Sequence, residues 1–267
     1  MSALLLENRI FLHYEVLGRG APPVLFLHTW VGSWRYWLGT MQEVSLRNRA
    51  YALDFYGYGS SLGQAPPSAS LDAFVDQVRS FMEALGVVDV VLVGHGLGAA
   101  VALALATQEP EWVQRVMTIG LPLSMDWARG LPRRAAEFWP WLTTDRKAVL
   151  PVQQDSERIT ETTLDAALRA TAESDLLRLA REVEQPWLAI YGQEDPVYQD
   201  VLRLGNRRWP LPTSPYHHVL AIPQAAHFPM LEQPRLFYRL LKEFLTLPPW
   251  EDLRNLQLRD EWRRRFR

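Results

Sequence analysis

The stretch Asp89-Val-Val-Leu-Val-Gly-His-Gly-Leu-Gly98 decides the fold of this chain. Its first half is an apolar run without alternation, which is typical of a strand buried on both faces of a sheet. The Ala- and Leu-rich run 98–108 that follows predicts a helix. Three glycines separate the two runs, at positions 94, 96 and 98. The sequence therefore predicts a sharp strand-to-helix turn at the end of a central strand.

Strand and helix patterns alternate outward from this turn. The predicted strands are residues 4–6, 10–16, 24–27, 50–53, 89–93, 116–119, 187–191 and 219–222. The predicted helices are residues 34–43, 70–85, 98–108, 198–208 and 235–244. Such alternation indicates a parallel α/β sheet with right-handed crossovers.

Two segments depart from this alternation. Residues 121–185 contain no buried-strand run, and 159–184 form a helical pattern rich in Arg and Glu. Residues 248–267 look appended, with Leu258, Trp262 and Phe266 on one helical face beside a run of arginines. We therefore predict a core of residues 1–120 and 186–247, a helical cap of residues 121–185 and a basic amphipathic tail of residues 248–267. The tail either docks on its own domain or contacts a protein partner or a membrane surface.

Composition excludes several classes of function. The chain has 267 residues, with 28 Lys and Arg against 30 Asp and Glu. Its net charge therefore creates no electrostatic field that favours binding to nucleic acid. It has no cysteine, which excludes disulfides, thiol nucleophiles and thiolate metal sites. The apolar run 99–106 is far shorter than the roughly 20 residues of a membrane-spanning helix, and no targeting segment is visible. We expect a soluble, cytoplasmic protein.

Short motifs follow the predicted strands in a fixed order. They are His28-Thr29-Trp30, Asp54-x-x-Gly57-x-Gly59-x-Ser61, Gly94-His95-Gly96-Leu97-Gly98, Gly192-Gln-Glu-Asp195 and Ala226-His227-Phe228-Pro229. In this order and these strand contexts they resemble the α/β-hydrolase superfamily, from about residue 4 to residue 247. The resemblance implies an α/β-hydrolase fold, with a mostly parallel eight-stranded sheet and an inserted helical cap.

The resemblance also implies a site at the ends of the strands. The order nucleophile, acid, histidine makes Asp195 the acid and His227 the base, and the backbone N–H groups of Trp30 and Leu97 form an oxyanion hole. The nucleophile belongs at the middle of G-x-S-x-G, and this position is Gly96. Acyl transfer there needs a hydroxyl, thiol or carboxylate, and glycine has none.

Glycine suits the backbone at the nucleophile position. The residue there adopts a positive φ, which glycine tolerates and which costs other residues on the order of 1 kcal/mol or more. Loss of a serine at position 96 is therefore compatible with a stable fold, whether it arose naturally or by engineering. The neighbouring His95 and Leu97 side chains are expected to point away from the turn.

A dinucleotide site is the main competing interpretation of the glycines. Gly94-x-Gly96-x-x-Ala99 matches the G-x-G-x-x-G/A fingerprint, but the acid expected about 20 residues on is absent at residues 119–121.

The acid of the triad also has an alternative position. Asp126 follows the predicted strand 116–119 and could take the place of Asp195 as the triad acid.

The remaining polar residues have mainly structural interpretations. Asp54 is expected to pin its loop, and His28 to be a structural hydrogen-bonding residue. The pair His217-His218 lacks a third ligand at a useful spacing, so we expect no metal and no cofactor.

Three hypotheses for function follow. In the first, the chain is a catalytically degenerate hydrolase relative, a pseudoenzyme that binds a small apolar or ester-like ligand or serves as an assembly subunit. In the second, the dyad of His227 and Asp195 acts without a covalent nucleophile, in proton abstraction, lyase chemistry or cofactor-free oxygenation. In the third, the chain is an inactivated serine variant of an esterase-like hydrolase. The ligand pocket is expected between core and cap, and Trp127, Phe138, Trp139 and Trp141 either line it or simply pack the cap against the core.

Overall fold

The sheet determines where the functional groups lie. A computed structural model describes residues 2–5, 11–61, 67–128, 134–138, 142–143, 145, 147–207, 209–211, 214–248 and 251–258. Its strands are β1 (Ser2–Leu5), β2 (Phe11–Leu17), β3 (Val24–Leu27), β4 (Ala50–Leu53), β5 (Val90–His95), β6 (Val113–Ile119), β7 (Trp187–Gly192) and β8 (His217–Ile222). They form one eight-stranded sheet in the order β1-β2-β4-β3-β5-β6-β7-β8.

Most of the strand pairs are parallel. Only β1 with β2 and β2 with β4 run antiparallel within the described sheet. The remaining neighbours are all parallel. The predicted mostly parallel eight-stranded sheet is therefore confirmed.

Helices connect the strands and cover the sheet. The described helices are α1 (Leu38–Ser45), α2 (Leu71–Leu85), α3 (Leu97–Gln108), α4 (Leu150–Ser156), α5 (Glu161–Ala172), α6 (Leu176–Glu182), α7 (Pro196–Leu204), α8 (Pro229–Glu232) and α9 (Pro234–Thr246). Every residue of β3, β4 and β5 is buried, as their apolar sequences require. Helix α3 is buried along nearly its whole length, which explains why its sequence is apolar on every side.

Local sequence signals fix the ends of several helices. Ser70 caps α2 by accepting a hydrogen bond from the backbone N–H of Ala73, and Gly86 ends it in the left-handed conformation at φ 61°. Helix α7 begins at Pro196, two residues before the predicted start, because the Asp195 side chain caps it. Strand β5 continues through His95, so two residues assigned to the turn belong to the strand.

The described part of the segment between β6 and β7 consists of helices, turns and loops and contains no strand. Helices α4, α5 and α6 lie in it, and α5 and α6 contact α3. Trp139 and Trp141 of the predicted pocket lining lie outside the described residues, whereas Phe138 is buried. The cap boundaries stay a prediction.

Only part of the predicted tail is described. A short 3₁₀ turn spans Leu253–Asn255, whereas Trp262 and Phe266 lie outside the described residues. Over the described ranges, no helix has the length and apolarity needed to cross a membrane.

Candidate active site

The carboxyl ends of the central parallel strands meet at one edge of the sheet. Thr29 follows β3, Gly96 follows β5, Gly120 follows β6 and Asp195 follows β7, while His227 lies in the loop after β8. In open α/β sheets this edge is where ligands bind. The sequence motifs thus converge on one place, although they are spread over two hundred residues.

Asp195 and His227 form a buried hydrogen-bonded pair. Asp195 Oδ2 lies 3.0 Å from His227 Nδ1, and both residues are 0% exposed. Asp195 Oδ1 accepts a hydrogen bond of 2.9 Å from the backbone N–H of Val197, which fixes the carboxylate at the start of α7. An ionised carboxylate only accepts hydrogen bonds, so His227 Nδ1 carries the hydrogen and Nε2 is an acceptor.

Gly120 makes room for this pair. Its φ is +55°, and a Cβ there would lie 2.8 Å from His227 Cε1 and 3.2 Å from Asp195 Oδ2. A side chain at residue 120 would therefore push the imidazole away from the carboxylate. The sequence analysis did not identify this position.

The Thr29 hydroxyl occupies the space beside Gly96. Thr29 Oγ1 lies 3.3 Å from His227 Nε2. Gly96 has φ +54°, and a Cβ built there would lie 2.1 Å from Thr29 Oγ1 and 2.9 Å from Trp30 Cζ3. The Thr29 hydroxyl thus lies between the turn and the imidazole. Sequence analysis noted Thr29 only as part of a motif and did not predict this position.

A chain of hydrogen bonds joins the backbone of Thr29 to that of His227. The Thr29 N–H donates to Tyr36 Oη at 2.9 Å, and Tyr36 Oη lies 3.0 Å from His95 Nδ1. His95 Nε2 donates to the His227 carbonyl oxygen at 2.8 Å, which leaves His95 Nδ1 to accept from the tyrosine. Burial and the neighbouring His227 hold the pKa of His95 well below its ordinary value, which keeps the ring neutral.

The position of His95 differs from expectation. Its ring centroid lies 4.4 Å from that of His227, so the side chain supports the site instead of pointing away from it. The reason is that β5 extends through His95, which directs the ring into the buried layer beside Tyr36.

Trp30 lies against the imidazole. Its ring is stacked on His227 with centroids 5.6 Å apart and an interplanar angle of 17°. Its indole Nε1 donates to Thr171 Oγ1 of α5 at 3.0 Å, and the residue is 0% exposed. The Trp30 side chain therefore covers one face of the imidazole.

The amides of the expected oxyanion hole lie on adjoining segments. The N–H of Gly98 donates to the carbonyl of His28 at 3.0 Å, which ties the start of α3 to the segment after β3. Leu97 is the first residue of α3, where helical N–H groups favour negative charge. The Thr29 N–H is bonded to Tyr36, so it is not one of the donors. The hole formed by Trp30 and Leu97 stays a prediction.

Asp54 and His28 hold loops around the site. Asp54 is fully buried and accepts from the backbone N–H groups of Trp34 at 3.0 Å and Ser60 at 2.8 Å. His28 Nδ1 donates to the Thr29 carbonyl at 2.8 Å, and its Nε2 accepts from the Phe55 N–H at 3.0 Å.

The alternative acid and the histidine pair lie elsewhere. Asp126 is exposed, whereas Asp195 is buried against His227. His217 and His218 lie on β8, and the described residues contain no group of three or more His, Asp or Glu placed to hold a metal ion.

Glu232 holds the loop that carries His227. Its Oε2 accepts from the backbone N–H groups of Ala226 at 2.8 Å and Phe228 at 3.2 Å, which flank the histidine. Its Oε1 accepts from the Thr143 hydroxyl at 2.5 Å. Burial raises the pKa of Glu232 above its ordinary value, and these three hydrogen bonds oppose the rise.

The variant Glu232→Gln should remove a pH dependence of stability. A carboxyl whose pKa rises on folding stabilises the fold below its unfolded pKa, and this contribution is lost as the pH rises through the folded pKa. Glutamine retains an oxygen acceptor for the two amides but has no charge. Urea unfolding between about pH 4 and pH 7 should therefore show the variant gaining stability relative to the unmodified chain as pH rises.

The exposed Glu83 provides the control for this measurement. Glu83→Gln should leave the difference in unfolding free energy constant over the same range. A Glu232→Gln variant that is destabilised equally at every pH would contradict the expectation, because it would show only a lost contact.

Comparison with known proteins identifies the family. The profile of the alpha/beta hydrolase fold family matches residues 22–156, and the chain belongs to this family. The pimeloyl-[acyl-carrier protein] methyl ester esterase of Nitrosomonas europaea is 28% identical over 262 residues, which cover 85% of this chain and 96% of that esterase. Epoxide hydrolase 4 of Mus musculus is 33% identical over 118 residues, 43% of this chain, and the match spans 33% of that protein.

Solved structures share the same fold. The enol-lactonase from Burkholderia xenovorans superposes with a TM-score of 0.77 at 18% identity, covering 92% of this chain and 100% of that chain. A thermophilic esterase from Thermogutta terrifontis gives a TM-score of 0.76 at 21% identity, covering 91% and 97%. At these identities the likeness concerns the fold alone.

Proposed function

We propose that this chain is a hydrolase that cleaves small carboxylic esters or related acyl compounds with His227 as general base. The observation that carries the proposal is the buried Asp195–His227 pair, whose Nε2 lies 3.3 Å from the Thr29 hydroxyl. The similarity to an enzyme named as a methyl ester esterase supports the ester class.

The proposed chemistry uses groups that the fold holds in place. His227 Nε2 removes a proton from the attacking hydroxyl, and Asp195 stabilises the imidazolium that forms. The amides of Trp30 and Leu97 would stabilise the negative charge on the carbonyl oxygen. Helix α3 adds the positive end of its dipole at this point.

Hydrolysis of a panel of short activated esters tests the proposal. His227→Gln should lower kcat by about 10²-fold to 10⁴-fold, the usual contribution of a general base. The control is His218→Gln on β8, which should leave kcat unchanged because that residue lies outside the site. Absence of turnover by the unmodified chain, or equal turnover by His227→Gln, would contradict the proposal.

A second candidate function is the degenerate relative that binds a ligand without turning it over. The stacking of the buried Trp30 ring on His227 favours it, since this ring leaves the imidazole covered. In that case His227→Gln should change only stability, and short esters or carboxylates should shift the melting temperature without being consumed. The pocket between the core and helices α4 to α6 is then the proposed binding place.

The third hypothesis, an inactivated serine enzyme, has less support. A serine Cβ at position 96 would lie 2.1 Å from Thr29 Oγ1 and 3.0 Å from Thr29 Cβ, so a serine there requires the Thr29 side chain to shift. Restoring serine alone would therefore displace Thr29 from its place beside His227.

A further inference from the structure

We propose that Thr29 is the nucleophile of this site, so that the reactive hydroxyl has moved from the strand-to-helix turn to the segment after the neighbouring strand. The inference rests on the proposed hydrolase function and names the group that its base activates. The geometry points to it through the chain Thr29 Oγ1, His227 Nε2, His227 Nδ1, Asp195 Oδ2, with successive distances of 3.3 Å and 3.0 Å between the residues.

This arrangement has the form of an activated nucleophile. Such a site needs a hydroxyl within hydrogen-bond reach of a base that a third group orients, and the reach is often looser without substrate. Because Asp195 holds the hydrogen on Nδ1, Thr29 Oγ1 donates its own hydrogen to Nε2. The hydroxyl also lies 2.1 Å from where a Cβ at Gly96 would be, so it fills space beside the strand-to-helix turn.

The backbone of Thr29 is held on both sides. Its N–H donates to Tyr36 and its carbonyl accepts from His28, at 2.9 Å and 2.8 Å. Threonine has few allowed side-chain rotamers because it is β-branched. The hydroxyl therefore approaches His227 from a fixed direction, as a catalytic nucleophile requires.

Neighbouring hydroxyls are engaged elsewhere. Ser33 donates to the Asp155 carboxylate, Ser61 donates to the backbone carbonyl of Asp54, and Thr171 donates to the carbonyl of Ala167. Thr29 is the hydroxyl that the structure places against His227 Nε2.

The reaction balances with water as the only second reactant. Thr29 Oγ1 bonds to the ester carbonyl carbon as its proton passes to His227 Nε2. The carbon–oxygen bond to the leaving alcohol then breaks, and His227 returns the proton to that alcohol, leaving an acyl ester on Thr29. Water attacks the acyl carbon while His227 takes one of its protons. The bond to Thr29 breaks, the proton returns to Oγ1, and the carboxylic acid leaves.

Substitution of Thr29 and covalent labelling test the inference together. Thr29→Val has nearly the same shape without the hydroxyl and should lose about 10³-fold or more in kcat. Thr29→Ser keeps the hydroxyl and should stay within about 10-fold of the unmodified chain. Thr107→Val is the control, since that hydroxyl donates within α3 to Leu103. A fluorophosphonate should add one mass increment, mapped by peptide analysis to residue 29, and should not label Thr29→Val.

The outcomes separate this inference from the proposed function. If the chain turns over esters in a His227-dependent way but Thr29→Val is as active, water is activated directly and only the inference is overturned. Labelling at another residue also overturns it. If the unmodified chain neither hydrolyses any ester of the panel nor accepts the label, both the proposed function and the inference are wrong.

Discussion

The double variant Thr29→Gly/Gly96→Ser should hydrolyse short activated esters on a serine, whereas Gly96→Ser alone should be impaired. With Thr29 present, a Cβ at residue 96 would lie 2.1 Å from Oγ1, so the threonine must rotate away from His227 or the serine must shift. Glycine at position 29 removes the conflict with Thr29, and the remaining approach of 2.9 Å to Trp30 Cζ3 requires a small shift of the indole ring. The positive φ of Gly96, +54°, is the strained geometry in which nucleophile elbows hold their serine.

The expected size of the effect follows from how much a nucleophile contributes to kcat. Loss of the serine in a triad enzyme lowers kcat by about 10⁶-fold, so the double variant should exceed Thr29→Gly by about 10³-fold or more even with imperfect placement. Fluorophosphonate labelling should move from residue 29 to residue 96. Thr29→Gly alone is the control and should be neither active nor labelled.

Two results would contradict this account. A Gly96→Ser variant as active as the double variant would show that Thr29 does not compete for the position. A folded double variant without activity or labelling would show that the site lacks more than a hydroxyl, such as oxyanion donors or access past Trp30. Thermal unfolding of each variant distinguishes this second result from misfolding.

The sheet was predictable because its signals are local. The apolar run of residues 24–27 and the run beginning at Val90 both form strands buried on all sides, and uninterrupted apolar sequence is what such strands require. Ser70 and Gly86 mark the ends of α2 in the sequence itself. The observed start of a helix differs from the predicted one where a side chain caps it. Asp195 caps α7, so this helix begins at Pro196, before the predicted start.

Thr29 was missed because its role depends on strand neighbours. Strands β3 and β5 are adjacent although β4 lies between them in the chain, and Leu27 is level with Gly94 in their register. Two residues further on, Thr29 and Gly96 therefore come side by side. Glycine at one position leaves room for a side chain at the other, a signal that exists only once the register of the two strands is known.

The sequence also could not predict that the Trp30 ring covers His227. The sequence analysis used Trp30 only for its backbone N–H, and the direction of its indole ring cannot be read from the motif His28-Thr29-Trp30. The hydrogen bond from its indole to Thr171 depends on how α5 packs over the sheet, which the Arg- and Glu-rich sequence of that segment does not specify.

Asp195→Asn should lower kcat by about 10⁴-fold while the chain remains folded. Asparagine still caps α7, because its carbonyl oxygen accepts the hydrogen bond from Val197 that Asp195 Oδ1 accepts now. Its amide group then faces His227 Nδ1 as a donor, which moves the imidazole hydrogen to Nε2. In that tautomer Nε2 no longer accepts the hydrogen of Thr29, so the nucleophile is not activated.

Steady-state kinetics on the best ester of the panel measures this effect. KM should change little, because the tautomer affects proton transfer and not the binding of substrate. Glu194→Gln is the matched control, since it removes a neighbouring carboxylate that is exposed and should leave kcat unchanged. Equal losses in both variants would point to the charge of the loop, whereas an unaffected Asp195→Asn would show that the imidazole acts without the aspartate. The expected result is that kcat falls in Asp195→Asn and not in Glu194→Gln. Such a result would show that the Asp195 carboxylate acts by fixing the orientation and tautomer of His227.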